Sequence, residues 1–224
     1  MQITELVLYK NNQVIAFNKP GNMAVQEDKT EDKALSQLAE IYTKGEIFVV
    51  HRIDRPASGV VLLAKTRGAV TNLNAQFRAR TVSKTYLAVV KNAPPQAEGT
   101  IFHYLSKNEK QNKTYAADKP SPGAKRAELK FKTVASSDNY HLLEIELITG
   151  RHHQIRAQLA AIGSPIKGDV KYGARRGNKD RSIHLHAWKV SFDHPVTGER
   201  ENITAPLPTE DAIWSFFSEK ISLS

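Results

Sequence analysis

Five apolar residues in a row, Val60-Val61-Leu62-Leu63-Ala64, follow directly on the polar run His51-Arg52-Ile53-Asp54-Arg55-Pro56-Ala57-Ser58-Gly59. The apolar stretch reads as a buried strand, and the run before it as the turn that leads into that strand. The core therefore fixes the geometry of the turn. Asp54 stands there as a lone carboxylate among His51, Arg52 and Arg55, so its charge is held by neighbouring cations. A rigid backbone under a caged charge marks a candidate site.

The remaining pattern fits an α+β chain. Val7-Leu8-Tyr9 and Val14-Ile15-Ala16-Phe17, separated by Lys10-Asn11-Asn12-Gln13, predict a hairpin, and Lys19-Pro20-Gly21 breaks the second strand. Helical spacing of Ala34, Leu35, Leu38, Ile41 and Tyr42 predicts a helix over 32–42, and Val70, Leu73 and Phe77 predict another over 68–79. Strands are expected at 84–90, 98–105, 127–134, 141–147 and 183–192, mostly antiparallel, with a docked helix over 211–217. Ser106 to Arg126 holds no Ile, Leu, Val, Phe or Trp, which predicts a basic loop. No repeat or composition shift marks a linker, so 1–224 is expected to form a single domain.

Charge points to the partner. Lys plus Arg number 32 against 23 Asp plus Glu, a net +9, which favours an anionic surface and most simply a phosphate backbone. Lys167, Lys171, Arg175, Arg176, Lys179 and Arg181 crowd one stretch with Tyr172 among them, and Arg67, Arg78, Arg80 and Lys84 crowd another. Either cluster, taken singly, also fits a solvated face. The absence of cysteine excludes disulfides, thiolate chemistry and cysteine-ligated metal sites. No window approaches the roughly 18 apolar residues of a membrane span, and the N-terminus lacks the regions of a signal peptide, so a cytoplasmic protein is expected. One core explains the strongest apolar runs, and a monomer is expected.

Thr149-Gly150-Arg151-His152-His153-Gln154-Ile155-Arg156 opens a further helix whose Ile155, Leu159 and Ile162 share one face. Arg156 borders that face. A guanidinium there can turn inward only to meet an anion, and Asp54 is the expected partner; otherwise its stem covers apolar surface while its head stays wet. The pairs His152-His153 and His184-Leu185-His186 lack the further ligands of a zinc site, so no metal is expected and buried, hydrogen-bonded histidines fit better. Gly163, Gly168 and Gly173 read as turn glycines, because their spacing is not that of a P-loop. Ser58 lacks the Gly-x-Ser-x-Gly elbow of a hydrolase.

Taken together these segments resemble the RluA-type RNA pseudouridine synthases. His51 to Gly59 is similar to the motif HRLDRxTSG, Lys84-Thr85-Tyr86-Leu87-Ala88 to KxYxA, Gly150 to Arg156 to GRxHQIR, Gly163 to Asp169 to GxPIxGD, and Leu185-His186-Ala187 to LHA. The departures are Ile53, Ala57 and the doubled histidine. The N-terminal S4 RNA-binding domain of many relatives is expected to be absent, since Asp54 lies too near Met1 to leave room for it.

The resemblance implies a mixed, mainly antiparallel sheet with flanking helices and a central RNA cleft, and conversion of uridine to pseudouridine in a structured rRNA or tRNA without any cofactor. It carries over Asp54 as the catalytic carboxylate and Arg156 as the cation that keeps it ionised. Tyr86 would stack on the uracil, and Leu185 would pack beneath it. Arg52 would enter the space left by a flipped nucleotide, with Arg55 and Lys84 also on the substrate. Two competing readings remain at this point: a non-catalytic RNA-binding module, and an RNA N-glycosidase using Asp54 and Asp169.

Overall fold

A computed structural model describes residues 2–28 and 32–222 of the chain. The chain divides into two compact units, Met1–Lys84 with His186–Pro208 and Thr85–Leu185 with Thr209–Ser224. In chain order the elements are β1 (Val7–Lys10), β2 (Val14–Lys19), α1 (Leu35–Thr43), β3 (Phe48–Val49), β4 (Ser58–Ala64), α2 (Arg67–Ala79) and β5 (Ser83–Val90). They continue as β6 (Glu98–Asn108), β7 (Lys113–Ala117), β8 (Lys125–Ser136), β9 (His141–Leu147), α3 (Gln154–Ala161), β10 (Leu185–Asp193), β11 (Arg200–Thr204) and α4 (Ala212–Ser222). This is an α+β chain with mixed, mainly antiparallel pairing, as the sequence predicts.

In the first unit β4 is the axis. All seven of its residues are buried, because β2 runs antiparallel along one edge and β10 pairs parallel at the other, His186 against Ser58. β1 extends the order beyond β2, β11 pairs with β10, and β3 pairs with β4. Ala69 and Leu73 of α2 enter the same core as Val60, Leu62, Val190 and Phe192. Thr66 starts α2 by accepting the Ala69 N–H at 3.1 Å, a cap worth about 1 kcal/mol. In α1 the buried positions are Leu35 and Ala39, one turn apart, and Ile41 is turned out to solvent against its sequence assignment.

The second unit orders its strands β5-β9-β8-β6-β7, antiparallel throughout the β5–β9, β9–β8, β8–β6 and β6–β7 pairs. The expected loop over 106–126 is corrected here. β6 runs on to Asn108, and β7 pairs back from Asn108↔Lys113 to Tyr104↔Ala117. A ladder needs backbone donors rather than large apolar side chains, and small residues suffice for the inward face. Ala116 packs on the cluster of Leu105, Ala127, Ala157 and Tyr172. Of the basic residues in this stretch, Lys107, Lys110, Lys119, Lys125 and Arg126 are exposed and Lys113 is half-buried.

α3 also departs from the amphipathic reading. Gln154 to Leu159 are buried without a break, so the helix is enclosed all round and its polar side chains require partners. Gln154 accepts from Thr149 Oγ1 and the Arg151 N–H and donates to the Glu128 carbonyl. In the terminal helix Trp214 and Phe217 are buried, as expected of a docked element.

Candidate active site

Arg52, Asp54, Arg55 and Lys84 belong to the first unit, and Tyr86, Arg156 and Leu185 to the second. Asp54 is half-buried on the turn before β4, where its carbonyl accepts the Ala57 N–H at 3.0 Å. Beneath the turn lies a residue that sequence reasoning treated only as a strand end. Lys19 is fully buried, and its ammonium donates to the carbonyls of Met23 at 2.8 Å, Pro20 at 2.9 Å, Arg55 at 3.1 Å and Ala57 at 2.6 Å. Burial pushes this ammonium down to about 7, while the negative charge of Asp54 pulls it up. One side chain thus ties the Asp54 turn to the Pro20–Met23 turn. The signal available was a lysine at the last alternating position of β2 directly before Pro-Gly.

The other histidine and arginine neighbours of Asp54 divide by role. His51 is neutral: the Leu62 N–H donates to its Nε2 at 2.9 Å, its ring stacks on Phe77 at 5.1 Å, and burial pushes it down to about 3. It therefore adds no charge to the turn, which corrects the count of cations around Asp54. Arg55 reaches Asp28 at 2.9 Å and Asp32 at 2.5 Å. Arg52 is exposed and donates to Gln26 Oε1 at 3.1 Å. Both arginines thus lean on residues shortly after β2. Lys84 is half-buried, and burial together with the charge of Arg80 lowers its ammonium.

Where the turn enters β4, the backbone of β10 passes against it. Gly59 has φ +110°, and a Cβ there would lie 2.2 Å from the Ala187 carbonyl oxygen, so no larger residue fits. Next to it His186 is fully buried, Nε2–H donating to the Ala205 carbonyl at 3.4 Å and Nδ1 accepting from Ser58 Oγ at 2.8 Å. Burial pushes this imidazole down to about 4.

In the second unit Arg156 lies 5% exposed against Asp169 at 1%. Its Nε donates to Oδ2 at 2.6 Å and its Nη2 to Oδ1 at 2.9 Å, a two-point fork. The carboxylate on this edge is Asp169, a partner that the sequence reading does not name for Arg156. The Tyr172 ring lies 4.9 Å below the guanidinium. Tyr172 Oη in turn accepts the Thr114 N–H at 2.8 Å and donates to His153 Nδ1 at 2.9 Å. Burial, reinforced by Arg156, holds His153 far below the ordinary imidazole value, so it is neutral. Tyr86 is buried opposite Ile145 of β9, and Leu185 is buried at the start of β10.

His184 is buried, accepting from Asn178 Nδ2 at 3.1 Å and donating to Asp211 at 3.0 Å. Gly163, Gly168 and Gly173 all take positive φ, as turn glycines do. Arg175, Arg176, Lys179 and Arg181 are exposed, whereas Lys167 donates to Asn178 at 2.9 Å. Among the described residues no group of three or more His, Cys, Asp or Glu side chains is placed to hold a metal ion, and no helix is long and apolar enough to cross a membrane.

The family model for RNA pseudouridylate synthase matches residues 13–161. A ribosomal large subunit pseudouridine synthase C of Vibrio vulnificus is 33% identical over 214 residues, covering 92% of this chain and 67% of that protein. The Bacillus subtilis RNA pseudouridine synthase YhcT is also 33% identical, over 91% of this chain and 69% of its own length. Among solved structures, human RNA pseudouridylate synthase domain containing 4 superposes with a TM-score of 0.77 at 24% identity, covering 96% of this chain and 93% of that one. At that identity the likeness concerns the fold.

Proposed function

The chain belongs to the RNA pseudouridylate synthase family, whose members are isomerases of RNA uridine, and from that premise we propose that Asp54 supplies the catalytic carboxylate. In the reaction the N1–C1′ bond breaks, the detached uracil turns, C5 bonds to C1′, and the C5 proton is lost as N1 gains one. The products have the composition of the reactants, so the stoichiometry requires no group donor or redox partner. A carboxylate is needed to attack carbon or to take a proton from the ribose, and Asp54 serves in that capacity.

The observation that carries this reading is the construction of the Asp54 turn. Its backbone is held by a fully buried ammonium and by the close approach at Gly59, while Asp54 itself stays half-buried. Preorganisation of that kind keeps a reacting group in place without enclosing it. Arg156 provides the countercharge, Tyr86 stacks on the uracil, and Leu185 packs beneath it. Arg52 enters the stack vacated by the flipped nucleotide, with Arg55 and Lys84 on neighbouring phosphates.

The family model runs from residue 13 to 161, which supports the reading of 1–224 as a single catalytic domain. We place the substrate among structured rRNA and tRNA, with large-subunit rRNA first on the strength of the Vibrio relative, and the protein as a cytoplasmic monomer. Pseudouridine mapping of total RNA from cells with and without the gene identifies the position. Asp54→Asn is expected to fold and bind RNA while tritium release from C5-labelled uridine falls to background. Wild-type release by that variant removes Asp54 from the chemistry.

A further inference from the structure

The fork that binds Arg156 is itself held in place. The Asp169 carbonyl accepts the N–H groups of Tyr172 and Ala174, each at 3.0 Å, and its own N–H donates to the Ile166 carbonyl at 3.0 Å. Gly168, immediately before it, has φ +87°, and a Cβ there would meet the Asn178 side chain at 2.8 Å. Tyr172 closes the other side of the guanidinium with its ring and fixes that ring through the Thr114 N–H and His153. A lone ion pair leaves a guanidinium free to swing about one axis. A two-point fork on the Nε–Nη2 edge plus an aromatic face removes that freedom.

We infer that Asp169 and Tyr172 are positioning residues of the isomerisation, which orient the guanidinium of Arg156 before RNA arrives. Asp169 also balances the charge of Arg156, so that the cation can be enclosed. This rests on the reading that Arg156 serves the Asp54 chemistry. A misplacement of about 1 Å in a catalytic constellation lowers the rate roughly 100-fold, so a loosened guanidinium is expected to act on turnover rather than on RNA association.

The test uses the full chain and C5-tritiated total RNA from cells lacking the gene. Asp169→Asn keeps the shape of the side chain and removes its charge. Its maximal rate is expected to fall roughly 10- to 100-fold, with the half-saturating RNA concentration within about two-fold of wild type. The acid limb of its pH–rate profile is expected to move to lower pH, because an uncompensated guanidinium favours an ionised catalytic carboxylate. A residue that serves folding alone leaves that limb in place. Asp169→Glu, which restores the charge one methylene away, is expected to return the limb to its wild-type position with a partial recovery of rate, and it carries the test if Asp169→Asn does not fold.

A wild-type rate and limb in folded Asp169→Asn, or a wild-type rate in Asp169→Glu when the former does not fold, overturns the inference. Arg156→Lys separates the two levels. If it is slow while Asp169→Asn matches wild type, only the positioning role falls. If Arg156→Lys itself matches wild type, the role of Arg156 falls and the positioning role with it.

Discussion

Each unit buries one cation near its site, and the two are satisfied by different means. In the first, Lys19 gives hydrogen bonds to four backbone carbonyls; in the second, Arg156 gives two to a single enclosed carboxylate. Carbonyls are dipoles, so they share an ammonium among several chain segments and join those segments together. A carboxylate cancels a charge and fixes a plane. Lys19 therefore shapes a backbone that carries Asp54, whereas Asp169 fixes the direction of a side chain. The choice of Lys for one and Arg for the other follows, since three rotatable donors suit scattered acceptors and a planar fork suits two oxygens.

That contrast can be broken most sharply at Arg156. Arg156→Met leaves Asp169 buried without its cation and is expected to cost about 3–5 kcal/mol, measured as a fall in the urea midpoint with an unchanged slope. A loss below about 1 kcal/mol would show that Asp169 is solvated or re-paired when the guanidinium goes. At Lys19 the effect is expected to be smaller. Lys19→Met leaves carbonyls rather than a charge unsatisfied, costs about 1–3 kcal/mol, and slows tritium release because the Asp54 turn loosens. An unfolding free energy and a rate both equal to wild type would mean that the turn holds itself.

The smallest effect comes from the neutral histidines. His186 is depressed to about 4 and His51 to about 3, so below the ordinary imidazole value near 6.5 the unfolded chain takes up protons that the folded chain refuses. Stability contributed by the neutral rings is present above pH 6.5 and is lost as pH falls towards 4 for His186 and 3 for His51. By pH 5.5 each is expected to lower the unfolding free energy by about 1 kcal/mol. Thermal melts between pH 7.5 and 5.5 check this, and His186→Gln should flatten the slope. A flat wild-type profile would show that the rings protonate in place.

Local pattern revealed the elements with strong periodicity. β2, β4, α2 and β9 lie where alternation, an apolar run or helical spacing puts them, because their burial is decided by their own residues. β7 and the start of β8 were hidden by composition, since small and basic residues pair into a ladder only when β6 is alongside. The two-residue β3 has no pattern long enough to read. Ile41 and the enclosure of α3 failed for the opposite reason: a periodicity tells which residues share a face, and the neighbours decide how many faces are covered.

The site divides along the same line. Order along the chain determined which motif each candidate belongs to, and with it the family and the uridine chemistry, because those motifs are contiguous and carry their residue types with them. Only the tertiary structure decided the charge state of His51, the anion on the fork of Arg156 and the work of Lys19. Each of those depends on a partner far away in sequence or on exclusion from water. A string of residues records neither, since desolvation and pairing are properties of what the fold brings near.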